Sequence, residues 1–269
     1  VQRTYPHGVT SWIDTEQPDP DAAAEFYAAL LGWATTEAMP PGVPGTYRIA
    51  TLDGQDVAGL TSAEGPTARW RTYVAVDDLD RTAEVFRAAG GTLEVFEAQP
   101  PGRAAVGTDP TGAEIRLWQA GHRLGAQLAN VPGAWNFSDL HTPDPAAATD
   151  FYRRVFGWEV DAGGDGPSTV RVPGYGRHLA DTVDPGIVER QAAAPEGFAD
   201  VIGAVVPDEA AWWEVTFTVA DRDEAAERAV RLGAAVLSTT DTGWTRQAVV
   251  RDPQGARFVL SQFTPPEGW

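Results

Sequence analysis

The chain has no cysteine among its 269 residues. That excludes disulfide staples, thiolate nucleophiles and cysteine-ligated zinc. It has no lysine either: all 20 basic residues are arginine, so Schiff-base catalysis by a lysine amine is excluded too. Positive charge is scarce altogether, 20 basic residues against 38 acidic giving a net charge of −18. Nucleic acids and anionic membrane surfaces both call for a basic face, and this composition opposes one. No apolar run approaches the ~20 residues of a membrane span, and no signal-peptide pattern is read at the start, so a cytoplasmic protein is the expectation. What is present is ample apolar material, 43% hydrophobic against 22% charged residues, a balance that supports packed cores.

The chain repeats itself. Thr108-Asp109-Pro110-Thr111-Gly112-Ala113 returns as Arg251-Asp252-Pro253-Gln254-Gly255-Ala256, and the same 143-residue offset carries Trp70 onto Trp213 and Asp78 onto Asp221. Earlier in the chain, Pro18-Asp19-Pro20…Phe26-Tyr27…Gly32-Trp33 returns as Pro143-Asp144-Pro145…Phe151-Tyr152…Gly157-Trp158 at an offset of 125. Two offsets differing by 18 imply two copies of one domain, the second with an insertion between Trp158 and Trp213. The expected division is a first domain over 1–121, a Pro/Gly-containing linker over 122–132 and a second domain over 133–269, sizes ordinary for domains of roughly 100–150 residues.

Each copy reads as the same order of elements twice over. Residues 9–16 form a strand; Asp19-Pro20-Asp21 caps a helix over Ala22–Leu31 that Gly32 stops; Thr46–Leu52 and Asp56–Leu60 form a hairpin around Asp53-Gly54. The order begins again with a strand at Trp70–Val76, a helix at Leu79–Ala89, and strands at Ala104–Thr108 and Glu114–Gln119. The second copy follows with a strand over Trp135–His141, a helix over Ala146–Phe156, a strand over Trp213–Val219, a helix over Glu224–Leu232, and strands over Arg246–Val250 and Arg257–Gln262. The expectation is an α+β fold of four βαβββ modules.

Paired modules with Asp-Pro-x-x-Ala-x-x-Phe-Tyr…Gly-Trp after the first strand resemble the vicinal-oxygen-chelate superfamily, as do Val76-Asp77-Asp78-Leu79-Asp80 and Asp-Pro-x-Gly-Ala before the last strand. That superfamily includes glyoxalase I, extradiol dioxygenases and the bleomycin- and fosfomycin-resistance proteins. The resemblance implies that modules pair into two glyoxalase-like half-open barrels, each with a concave ligand-holding side. It does not fix an activity.

Strand alternation sorts the side chains. Thr72, Val74 and Val76 suit the helix-packed side, leaving Arg71, Tyr73 and Ala75 for the cavity; Ile115 and Leu117 go to the core, leaving Glu114, Arg116 and Trp118. In the second copy Val215, Phe217, Phe258 and Leu260 go in, leaving Glu214, Thr216, Val259 and Ser261. The register implied by the resemblance adds Trp12, Asp14 and Glu16, and Phe137, Asp139 and His141, to the cavity sides. It puts Trp12, Arg71 and Arg116 at the family's metal positions in copy one, and Phe137, Glu214 and Val259 in copy two. A divalent cation needs about three or four converging N, O or S donors, so neither set is expected to hold a metal, and no cofactor is expected.

Copy one thus offers Trp12, Tyr73 and Trp118 as stacking walls and Arg71 and Arg116 as donors, suited to a flat or carboxylated small molecule. A structural reading stands beside it, in which Asp14, Glu16, Arg71 and Arg116 neutralise one another. Copy two offers His141 with Asp139 or Glu214 as an acid–base set, against a solvated or structural histidine, and the three together leave a displaced metal site as a further alternative. The insertion around 174–195 carries Tyr175 and His178 and reads as a flap over the second cavity; a surface excursion and an oligomer contact remain open. The expected function is metal-independent binding of a small hydrophobic, aromatic or carboxylated molecule by a monomer or homodimer. The alternative is a cofactor-free lyase, isomerase or cyclase.

Overall fold

The computed structural model describes residues 1–96, 101–161, 166–192 and 194–265. The first copy runs β1 (Thr10–Gln17), α1 (Pro20–Leu31), β2 (Ala34–Glu37), β3 (Tyr47–Leu52), β4 (Gln55–Ser62), β5 (Arg69–Ala75), α2 (Leu79–Ala88), β6 (Thr92–Phe96), β7 (Gly102–Thr108) and β8 (Glu114–Ala120). The second begins with β9 (Trp135–Thr142), α3 (Pro145–Phe156), β10 (Glu159–Val160) and β11 (Ser168–Arg171). Helices α4 (Tyr175–Thr182) and α5 (Ile187–Arg190) and a 3₁₀ turn at Phe198–Asp200 follow. It ends with β12 (Val201–Pro207), β13 (Trp212–Thr218), α6 (Arg222–Arg231), β14 (Ala235–Asp241), β15 (Thr245–Arg251) and β16 (Arg257–Phe263).

Each copy forms one eight-stranded mixed sheet, ordered β2-β3-β4-β1-β5-β8-β7-β6 in the first and β10-β11-β12-β9-β13-β16-β15-β14 in the second. The α+β class and the four modules are therefore as expected. Among the described residues no helix is long and apolar enough to cross a membrane.

Local sequence explains the repeated turns. The Asp19 carboxylate accepts the Asp21 and Ala22 backbone N–H groups at 3.1 and 3.0 Å, Pro20 starts the helix, and Gly32 ends it at φ 82°. Asp144, Pro145 and Gly157 do the same for α3. Asp53 and Gly54, at φ 52° and 74°, supply the two left-handed residues of a tight hairpin.

Two compact units arise, and they do not follow the repeat boundary. The first unit comprises Val1–Ser11, Thr72–Gly125 and Ser138–Trp213; the second comprises Trp12–Arg71, Ala126–Phe137 and Glu214–Trp269. Each unit thus joins a module of one copy to a module of the other.

The first unit packs Val74, Leu79, Phe86, Ile115, Leu117, Leu140, Phe151, Tyr152 and Trp158 into one core. The Phe86 and Phe151 rings meet edge to face at 4.8 Å. Tyr152 donates its hydroxyl hydrogen to Asp109 at 2.9 Å, and the other Asp109 oxygen accepts from the Thr111, Gly112 and Ala113 backbone.

The second unit repeats the device in its own core of Ile13, Leu60, Phe217, Phe258 and Leu260. Tyr27 donates to Asp252 at 2.8 Å, Gln17 donates to the same oxygen at 2.8 Å, and the Trp70 indole N–H donates to the Tyr27 hydroxyl at 3.1 Å. Trp33 and Trp158 give their indole N–H groups to the Gly133 and Gly8 carbonyls, each at 2.7 Å. These tryptophans are buried scaffold.

The insertion is not a loop. Tyr175 and Leu179, one helical turn apart on α4, and Ile187 on α5 are buried in the first unit's core. The flap reading yields to that packing, because apolar side chains committed to a core cannot swing open at low cost. Ala193, inside the expected insertion, lies outside the described residues.

Candidate functional site

The second unit carries the first-strand residues of copy one. Along β1, Ser11, Ile13, Thr15 and Gln17 are fully buried on one side, and Trp12, Asp14 and Glu16 alternate with them on the other. Asp14 is also completely buried, and a charge in that position must be answered locally. Arg71 Nε donates to its Oδ1 at 2.5 Å, and Arg71 Nη1 pairs with Glu16. Arg69 closes the network on Glu16 at 2.8 Å. Tyr47 donates its hydroxyl hydrogen to Asp14 Oδ2 at 3.2 Å and accepts the Trp12 indole N–H at 2.9 Å.

Tyr47 reaches across because β4 has glycine beneath it; a Cβ on Gly59 would stand 2.5 Å from the Tyr47 hydroxyl. Trp12, Asp14, Glu16 and Arg71 therefore form one hydrogen-bonded assembly, with Tyr47 as the member that the sequence did not single out. The neutralisation reading holds for Arg71, Asp14 and Glu16. Removing one partner from such a buried pair costs about 3–5 kcal/mol, since the other charge is left behind.

The first unit carries the other copy-one residues. Tyr73 on β5 and Arg116 on β8 are cross-strand partners, and the Arg116 guanidinium lies 5.8 Å from the Tyr73 ring centre. Its contact with Glu114 is long, at 3.3 Å, and its buried Nε has no hydrogen-bond partner among the described residues. Two residues along the strand, Trp118 gives its indole N–H to the Arg123 carbonyl at 2.9 Å. Its six-membered ring covers Gly102, where a Cβ would come within 2.5 Å of Trp118 Cζ2. A pinned, half-buried indole thus sits beside a guanidinium with donor capacity to spare.

In the second copy, His141 is oriented by a carboxylate, and that carboxylate is Asp208. His141 Nδ1–H donates to Asp208 Oδ2 at 2.8 Å, and the imidazole stacks on Trp212 with ring centres 4.3 Å apart. The Trp212 indole N–H reaches the same oxygen at 3.3 Å. The His141 hydrogen bond is the main reason that the Asp208 carboxyl lies below its ordinary range, with the Glu209 backbone and Trp212 adding to it. Asp139, expected as the orienting group, accepts the Ala204 backbone N–H at 2.7 Å. Glu214, in the second unit, accepts from Arg257 at 3.1 Å. Phe137 is half-buried and Thr216 is buried beside Val259 in the sheet.

Neither Asp208 nor Trp212 stood out in the sequence. The signal for them was the apolar run Ile202–Val206, which forms β12 alongside β9 and brings the following Asp208 back to His141. Tyr175 is core, as described, and His178 stacks on it at 6.4 Å while its Nε2 meets the Thr4 carbonyl at 3.0 Å. This pair anchors the N-terminal segment to α4.

The family's metal positions do not fit a metal. Trp12 offers only an indole N–H, which it gives to Tyr47, Arg71 is ion-paired with Asp14 and Glu16, Arg116 is a cation, and Phe137 and Val259 offer no ligand atom beside Glu214. Among the described residues no group of three or more His, Asp or Glu could hold an ion.

Relatives and solved structures align over nearly all of this architecture. CFP32 of Mycobacterium tuberculosis (strain CDC 1551 / Oshkosh), a candidate glyoxylase, is 32% identical over 275 residues that cover 98% of each chain. DnrV of Streptomyces peucetius, an anthracycline biosynthesis protein, is 34% identical over 95% of this chain and 94% of its own. The 2,3-dioxygenase LapB from Pseudomonas sp. KL28 superposes with a TM-score of 0.65 at 15% identity, covering 99% and 97% of the two chains. The Mn(II)-bound glyoxalase from Novosphingobium aromaticivorans gives 0.61 at 16%, covering 98% and 85%. These two share the fold. The glyoxalase-like domain model matches twice, over residues 12–118 and 137–261, so the chain belongs to the glyoxalase-like domain family and carries two copies of that domain.

Proposed function

We propose that the protein binds a small planar aromatic molecule bearing an acidic group, without a metal ion, on the Tyr73–Arg116–Trp118 face. One observation carries this reading: Arg116 is largely buried, stacked on Tyr73 and only weakly paired with Glu114, and its Nε has no hydrogen-bond partner among the described residues. A buried guanidinium in that condition is stabilised by an anionic partner, and Arg presents donors in a planar fork that suits carboxylate or phenolate oxygens. Trp118, fixed by Arg123 and seated over Gly102, gives an adjacent stacking surface at little cost in ordering entropy. The name of DnrV, and that of DauV from Streptomyces sp. (strain C5), concern anthracycline biosynthesis, and an aromatic polyketide suits the same chemistry. The donor chemistry at the family's metal positions supports metal independence.

A second reading rests on the His141–Asp208 pair at 2.8 Å. A carboxylate holding Nδ1–H leaves Nε2 as the basic nitrogen, the arrangement of a general base in a cofactor-free lyase, isomerase or cyclase.

Titration of polycyclic aromatic acids against tryptophan fluorescence, with chromatographic recovery of the compound, separates the two. Saturable quenching with the compound recovered unchanged supports binding. A new product whose formation is lost in His141→Ala supports the enzyme. No saturable quenching by any such acid sinks the first reading.

A further inference from the structure

The strands that carry Tyr73, Arg116 and Trp118 in the first copy have counterparts in the second, and the two faces differ in chemistry. In the first copy, register aligns Phe96, Ala104, Trp118 and Ala75 in one row across β6, β7, β8 and β5. In the second, the corresponding row across β14, β15, β16 and β13 is Thr240, Gln247, Ser261 and Thr218. Residues paired in register point to the same side of a sheet, and here that side is opposite the buried Phe217, Ala248, Phe258 and Leu260. Thr216 adds a hydroxyl beside Val259 in the next row. An aromatic and aliphatic row has become one in which every member carries a neutral hydrogen-bonding group. Ser261 and Thr216 are 4% and 5% exposed, and the Thr218 Oγ1 is buried with no hydrogen-bond partner among the described residues. The Thr216, Thr240 and Ser261 hydroxyls and the Gln247 amide make no side-chain hydrogen bond among the described residues either. Each hydroxyl has one donor and two acceptor sites, and the amide has two donors and a carbonyl oxygen. Buried groups of this kind are costly to the fold unless something answers them.

We propose that this face of the second copy binds a pyranose, free or as the glycosyl group of a larger molecule, through Thr218, Ser261, Gln247 and Thr240. A sugar presents several neutral hydroxyls, each able to donate and to accept, and the row offers neutral groups with the same double capacity. Neighbouring members stand about 4.8 Å apart, one inter-strand spacing, which is the scale of one sugar ring. The row holds no charge to recognise an acid and no aromatic surface to stack a flat hydrocarbon. An aromatic edge lies next to it: Phe263, two residues beyond Ser261 on the same side, is 53% exposed and stacks on Trp244 with ring centres 6.4 Å apart. The C–H face of a sugar, or the group attached to it, suits such a ring. This site uses none of the residues proposed to hold the aromatic acid.

Saturation-transfer NMR titrations of the full chain test this, with methyl α-D-glucopyranoside, methyl α-D-mannopyranoside, methyl α-D-galactopyranoside and phenyl β-D-glucopyranoside as probes. Wild type should saturate with at least one of them. Ser261→Ala and Gln247→Leu should each weaken that binding about tenfold or more, since each removes a hydrogen-bonding partner from the sugar. Saturation by a methyl glycoside supports a free sugar as the ligand; saturation by the phenyl glycoside alone supports the glycosyl group of a larger molecule. No saturable binding of any probe overturns the proposal, as does binding that both variants leave unchanged. Thr218→Val checks the same claim with no sugar present. Replacing a hydroxyl that the fold does not answer should leave the thermal midpoint unchanged or raise it. A fall of about 3 °C or more, the scale of one lost hydrogen bond, would show that the fold itself answers the hydroxyl, and would overturn the proposal.

Discussion

Tyr152 donates its hydroxyl hydrogen to Asp109 at 2.9 Å, so that a loop of the first repeat holds a helix of the second. The reciprocal pair, Tyr27 and Asp252, closes at 2.8 Å. Each Asp lies in the repeated Asp-Pro-x-Gly turn, and each Tyr in the repeated Phe-Tyr of the module helix. The two motifs that mark the duplication are therefore also what join a module of one copy to a module of the other.

Tyr27→Phe should cost about 1–3 kcal/mol in urea unfolding, the scale for leaving a buried hydrogen-bonding group unanswered. Burial first, then the Asp252 carboxylate, push the Tyr27 phenol well above its ordinary range. A raised phenol pKa contributes stability that is fully present below the unfolded value near ~10 and is lost as pH rises beyond it. The gap between wild type and Tyr27→Phe should accordingly narrow in alkali. A constant gap from neutral pH upward would contradict the assignment.

Asp208 works in the opposite sense. Its carboxyl is held below the ordinary range by His141 first, so its contribution is present above the unfolded value near ~4 and disappears as pH falls through the lower folded value. Asp208→Asn should melt below wild type at neutral pH, and the two curves should converge in acid. Curves that stay parallel down to the acid limit would remove the His141–Asp208 pair from the account.

Much of this was legible in the sequence, and what was not has a physical reason. Strand alternation placed Val74, Ile115, Leu117, Phe217 and Phe258 inside, because one face of each strand meets helices. Asp53-Gly54 marked its hairpin, because few residues accept two left-handed positions. Asp208 escaped because it is 67 positions from His141, beyond an insertion that concealed β12. Tyr47 escaped because its role depends on the space left by Gly59, which lies two residues along β4 from its partner Thr61, a placement set by register rather than by composition. The grouping of modules escaped as well, since Tyr27 and Asp252 are 225 positions apart and no local pattern ties one copy's helix to the other copy's turn.

The insertion supplies a core test. Leu179 is 4% exposed within the first unit's core. Leu179→Ala should cost about 2–5 kcal/mol, as large-to-small core changes do. A change within about 0.5 kcal/mol, the range for surface sites, would restore the flap.

Gly102 tests the indole platform. A Cβ there would stand 2.5 Å from Trp118 Cζ2 and 2.6 Å from the Gln119 carbonyl oxygen, and the backbone atom cannot turn aside. Gly102→Ala should lower stability by about 1–3 kcal/mol and shift the Trp118 emission. Unchanged emission with unchanged stability would mean that the ring is not seated as described.

The proposed function is tested most directly by calorimetric titration of anthraquinone-2-carboxylate in EDTA against wild type and Arg116→Met, a swap that keeps the apolar length and removes the charge. Saturable binding by wild type, weakened about tenfold or more in Arg116→Met as loss of a charge-assisted hydrogen bond requires, is the result expected. Equal affinity in the two proteins, or binding that appears only when a divalent metal is supplied, would contradict it.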